Sequence, residues 1–242
     1  MTIRLDRLAF VALPAILCLV FTASAQSIGR EELEAQIDNL HDQLKHKEAQ
    51  FLTASPIDAK RYSRFLAQPN TGLCRLMPRE TFDGRLLTRG GGAYYSFTEL
   101  TNEYGNSTQI GLERQAFASM FAGAAIGLMV SLGDVPIDTV DADQDGVRYL
   151  TEIVPPTREP EAREWQRRAG AGFAADGVSY KSTLPATVNG TYVVRSIQFN
   201  RADVLVAFRV VRQDADGSVT LLWKILKQFP TPQLLAEQAQ AQ

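Results

Sequence analysis

Residues 203–212, Asp-Val-Leu-Val-Ala-Phe-Arg-Val-Val-Arg, and residues 218–228, Ser-Val-Thr-Leu-Leu-Trp-Lys-Ile-Leu-Lys-Gln, are β-branched and aromatic runs joined through Asp214-Ala215-Asp216-Gly217. Two such runs around an Asp/Gly turn predict a β-hairpin. With either a two- or a four-residue loop, Val206, Phe208 and Val210 share a face with Leu221, Trp223 and Ile225, which makes that face the core side. Arg209 and Lys224 then belong to the opposite, wetter face.

Upstream, Thr191 to Phe199 is a third strand of the same kind. Short apolar runs broken by Gly, Asn, Asp and Pro predict further strands at Leu73 to Met77, Ala93 to Thr98, Thr108 to Glu113, Ile126 to Leu132, Val147 to Ile153 and Gly177 to Ser182. One inserted helix, from about Arg158 to Ala169, follows Pro155-Pro156 and is closed by Gly170. Its four arginines are nearly balanced by Glu159, Glu161 and Glu164, the composition of a solvated face.

Before the strands, Ile28 to about Thr53 is rich in helix formers, with Leu33, Ile37, Leu40 and Leu44 alternating at spacings of four and three. That is the seam of a coiled coil, but Lys47 interrupts it after about two heptads, so a helix folded back on its own domain competes with a homo-oligomer. Ser55-Pro56-Ile57-Asp58 ends this helix and caps a second one running through Leu66. The expected fold is α+β, a helical arm at residues 26–70 followed by an antiparallel β-rich domain at 71–233. An Ala/Gln-rich tail occupies residues 234–242.

Residues 1–25 have the layout of a secretory signal peptide: Arg4 and Arg7, an uncharged apolar run from Leu8 to Phe21, and the small-x-small site Ala23-Ser24-Ala25. The expected mature protein is periplasmic or secreted. Removing Arg4, Arg7 and Asp6 from totals of 25 basic and 27 acidic side chains leaves 23 and 26, a balance that argues against a nucleic-acid partner. Ala116 to Leu132 is uncharged over seventeen residues and contains Gly123 and Gly127 in a Gly-x-x-x-Gly spacing. At that length, and followed by a run of aspartates, it is expected to be a buried core segment and not a membrane span.

The chemistry-bearing residues are few. His41 and His46 are the only histidines, and their five-residue spacing puts them on different faces of a helix. Hydrolase triads and His-rich zinc sites therefore lack material in the β-rich part. Once the signal peptide and its Cys18 are gone, Cys74 is a lone cysteine, expected as a buried thiol.

Asp141-Ala142-Asp143-Gln144-Asp145-Gly146, with Glu152 five residues on, resembles the calcium-binding loop of the EF-hand family over twelve residues. The resemblance implies oxygen ligands from Asp141, Asp143, Asp145 and Glu152 and the carbonyl of Val147. Pro136 and Pro155-Pro156 leave little room for the flanking helices of that family, so an acidic turn between two strands is the competing reading. Arg89-Gly90-Gly91-Gly92 could cradle an anion through backbone N–H groups, or serve as a turn into the strand carrying Tyr94 and Tyr95.

These features point to an exported, non-enzymatic binding or structural module for a protein or small ligand. A carboxylate-based or calcium-assisted enzyme and a calcium-stabilised structural domain are the alternatives.

Overall fold

The computed structural model describes residues 29–81, 84–121 and 125–235. The expected signal peptide and most of the tail lie outside them. In chain order the elements are α1 (Arg30–Leu52), α2 (Pro56–Arg61), α3 (Ser63–Leu66), β1 (Thr71–Leu76), β2 (Tyr94–Tyr95), β3 (Ile110–Glu113), β4 (Ala116–Ala118) and β5 (Ala125–Gly133). They continue with α4 (Arg148–Glu152), α5 (Glu159–Ala171), β6 (Phe173–Ala175), β7 (Val178–Tyr180), β8 (Thr183–Pro185), β9 (Thr191–Gln198), β10 (Ala202–Gln213) and β11 (Val219–Phe229). The protein is mixed α+β, and its strand pairings are antiparallel.

The chain divides into two compact units, one ending at Leu40 and one beginning at His41. In the first, the described residues are the opening turns of α1, where Leu33, Ile37 and Leu40 are all exposed. The second holds the sheets. Five strands in the order β1-β11-β10-β9-β5 make the main sheet, and β2-β3-β4-β8 make a smaller one.

The C-terminal hairpin has the expected facing: Val206 lies opposite Ile225, Phe208 opposite Trp223 and Val210 opposite Leu221. Its loop closes through the Asp214 N–H to the Ser218 carbonyl (2.9 Å) and the Gly217 N–H to the Asp214 carbonyl (3.0 Å), with Gly217 at φ +83°. This face meets the smaller sheet. Phe117 stands edge-on to both Tyr192 and Phe208, and Phe97 packs against Trp223.

The opposite face is not wet. Leu205, Ala207 and Leu222 on it are buried with Val193, Leu128 and residues of α5 in a second core. Only its margins are polar: Arg209 reaches Asp134 Oδ1 (2.6 Å), and Lys224 Nζ donates to the Asp138 carbonyl (3.2 Å). Both faces of the central strands are therefore covered, which explains why every residue of β9 is buried.

Two further expectations change. Where a strand was expected at 147–153, Arg148–Glu152 forms α4, because the turn at Asp141–Gly146 aims Leu150 into the helix-side core. The second helix breaks at Tyr62 into α2 and α3, although Ser55 caps α2 as expected by accepting the Ile57 N–H (3.2 Å). The uncharged stretch 116–132 is divided between β4 and β5 of different sheets. A Cβ on Gly127 would fall 1.8 Å from the Ser119 carbonyl oxygen, so this glycine serves a close backbone approach. Among the described residues no helix is long and apolar enough to cross a membrane.

Trp223 is expected to dominate the hairpin's stability. Trp223→Ala should cost about 3–5 kcal/mol through the cavity it leaves, and Lys224→Ala about 0.5 kcal/mol, in a denaturant titration of each variant. Equal losses would mean that the two faces are not distinguished as described.

Candidate functional site

β1 is the last strand of the main sheet, and its free side is where the fold leaves an opening. The Ile225 N–H donates to the Asn70 carbonyl (2.8 Å), which sets the phase of the ladder. In an antiparallel pair such bonds fall at alternate residues, so the backbone groups of Gly72, Cys74 and Leu76 face β11 while those of Thr71, Leu73 and Arg75 face away. Two of the outward groups are covered. Asn102 Nδ2 donates to the Arg75 carbonyl (3.1 Å), and the Met77 N–H donates to the Gly92 carbonyl (3.0 Å). Leu73 has no such partner among the described residues.

Leu73 packs with the helix-side core and Cys74 with the core between the sheets, yet both line one cleft of about 630 Å³. The cleft therefore wraps the edge of the strand. Leu52 and Leu66 wall it on the helical side, and Tyr95 and Leu100 on the other. A second cleft of about 570 Å³ continues past Asn70 and Thr71 and shares Leu100 with the first.

The helical wall is held by a buried carboxylate. Glu48 is 3% exposed and accepts the Leu87 N–H (2.5 Å), the Thr88 N–H (3.0 Å) and the Thr88 hydroxyl (2.9 Å). Below it the Arg89-Gly90-Gly91-Gly92 turn passes so close to α1 that a Cβ on Gly92, at φ +78°, would lie 2.2 Å from Leu52 Cδ2. The Gly91 N–H bonds to the Thr88 carbonyl (2.9 Å), and the Arg89 N–H to Glu103 Oε2 (3.0 Å). This turn thus has a close-packing role, with a carboxylate of the chain itself beside Arg89.

The opposite wall is a tight turn. The Ser96 N–H donates to the Thr101 carbonyl (2.9 Å), the Leu100 N–H to the Ser96 carbonyl (2.8 Å), and buried Gln109 Oε1 accepts the Phe97 N–H (2.7 Å). These bonds hold Leu100 at φ +55°, a left-handed conformation unusual for a bulky residue, with its side chain 64% exposed over the cleft.

Burial pushes the Cys74 thiol far up from its ordinary range and does the same to the Tyr95 phenol. Of the charged residues lining the cleft, Glu48 is buried and Glu103 accepts the Arg89 N–H, while exposed Lys45 forms no ion pair among the described residues.

The acidic motif lies elsewhere. Asp141, Asp143, Asp145 and Glu152 are exposed, and Asp141 Oδ1 accepts the N–H groups of Asp143 (2.9 Å) and Gln144 (2.8 Å) as a local turn cap. Arg148 donates to the Asp143 carbonyl (2.8 Å). Among the described residues no group of three or more His, Cys, Asp or Glu side chains is arranged to hold a metal ion. The cleft itself was not foreseen, since sequence periodicity carries no information on which strand ends a sheet.

Native Cys74 should be alkylated by iodoacetamide at pH 8 more than about tenfold slower than after unfolding, because only the thiolate reacts and burial disfavours it. Equal rates, read by mass spectrometry, would show an accessible thiol. Compared with known proteins, the chain matches no family model, no curated protein and no solved structure.

Proposed function

We propose that the chain is an exported, non-enzymatic binding module whose ligand seats in the cleft along β1. The observation that carries this reading is the cleft itself, of a volume usual for ligand sites, apolar in its depths and polar at its rim. Burial disfavours the thiolate of Cys74, which lines it. The sequence features behind export are the basic start, apolar run and Ala23-Ser24-Ala25 site. The anilinonaphthalene sulfonate dye should bind one-to-one and saturably to the wild type. Ala59→Trp, a bulky change at an exposed position of the cleft wall, should abolish that binding without altering the circular dichroism. Unchanged dye binding in the variant would remove the cleft as the site.

We further propose that α1 joins two copies of the chain. Residues 29–47 are exposed on every face, and an isolated helix of that length is marginal in water without a packing partner. Its heptad positions Leu33, Ile37, Leu40 and Leu44 are exposed, and each would contribute about 1.5–3 kcal/mol if fully buried against a partner. Light scattering should give a dimer for the wild type and a monomer for the double variant Ile37→Asp, Leu40→Asp. A wild-type monomer would refute the pairing.

A further inference from the structure

We infer that the ligand of the β1 cleft is an extended peptide with apolar side chains that adds a strand to the free edge of β1. The inference rests on the binding role proposed above and names the ligand's chemical class. Two observations carry it. First, the outward N–H and C=O of Leu73 have no partner among the described residues, whereas the outward carbonyl of Arg75 and the N–H of Met77 are covered by Asn102 and Gly92. Unpaired edge groups are a template for another strand, and proteins ordinarily blunt them. This edge is blunted from Arg75 onward and left open before it.

Second, the cleft wraps the edge: Leu66 and Leu73 line it from one side of the sheet, Cys74 and Tyr95 from the other. An added strand points successive side chains to opposite sides, so alternate residues of a peptide would enter the two walls in turn. The second cleft, beside Asn70 and Thr71, prolongs the same edge, and Leu100 stands where the two meet. A compact small molecule would fill one cleft and leave the paired geometry of the edge unused.

The test uses the chain from Gln26 to Gln242, labelled with nitrogen-15. The probe is a pool of acetylated, C-terminally amidated pentapeptides with Ala, Val, Leu or Phe at the first, third and fifth positions and Thr or Ser at the second and fourth. Decanoate serves as the small amphiphile for comparison. Binding of the pool should shift the Leu73 amide resonance and slow its hydrogen exchange, with the exchange of the Cys74 amide, already bonded to β11, unchanged. For the tightest member, N-methylation of the alternate amides that face β1 should weaken binding at least tenfold, and methylation of the other set should not. Ala59→Trp should weaken it too. If decanoate binds in the cleft and the peptides do not, or if both methylation patterns act alike, strand addition is overturned while the binding cleft stands. If neither probe binds, the binding role falls with it.

Discussion

The central strands β9, β10 and β11 have no wet face, and the rest of the fold follows from that constraint. A three-stranded antiparallel unit whose residues alternate between two buried surfaces needs a layer on each side. The smaller sheet supplies one, bringing Phe97, Phe117 and Tyr95 onto Phe208, Tyr192 and Trp223. On the other side Phe65, Leu150, Ala162 and Ala169 close over Val193, Leu205 and Leu222. Gly72, directly opposite Trp223 across the strand pair, is needed because a Cβ there would lie 2.2 Å from the indole ring.

Such a sheet leaves few places for charge, and the ones it keeps are paired. Arg195 and Asp203 are almost wholly buried and bonded twice, at 2.5 and 2.8 Å. The guanidinium also donates to the Leu150 carbonyl in α4 (2.8 Å) and lies over the Phe229 ring. A buried pair of this sort adds little net stability, but leaving either member alone would be costly, so it ties β9, β10, β11 and α4 to one arrangement. Glu48 does the equivalent for the end of α1. Its carboxylate meets three donors from residues 87 and 88, and the last turn of the helix is thereby held against the glycine turn.

The edges of the main sheet are treated unequally. At β5 the outer side is met by Lys181, whose backbone exchanges two hydrogen bonds with Met129 (2.7 and 3.0 Å). At β1 the covering starts only at Arg75, and the cleft lies before it, where the backbone of Leu73 is left open. The rigid Ser96–Thr101 turn, which keeps Leu100 in a strained conformation beside that opening, is the kind of local cost a fold retains at a working surface.

Much of the sheet was legible in the chain because hairpin pairing is local. Period-two alternation in residues 203–212 and 218–228, with a turn at 214–217, determines which side chains share a face, and Phe208 opposite Trp223 follows directly. The capping of α2 by Ser55 is local in the same way. That the reverse face is also a core was not legible, since alternation distinguishes two faces without saying what covers each; Ala207 and Leu205 are buried by helices distant in sequence. Residues 147–153 alternate well enough for a strand, yet the turn that Asp141 caps and the pull of Leu150 into the helix-side core make them helical. Only the tertiary structure decided that β1 is an edge strand, that Leu73 and Cys74 line one cleft from opposite sides, and that Glu48 is a buried anchor. The physical reason is that strand order and burial of polar groups arise from contacts between residues far apart in sequence, which no local pattern encodes.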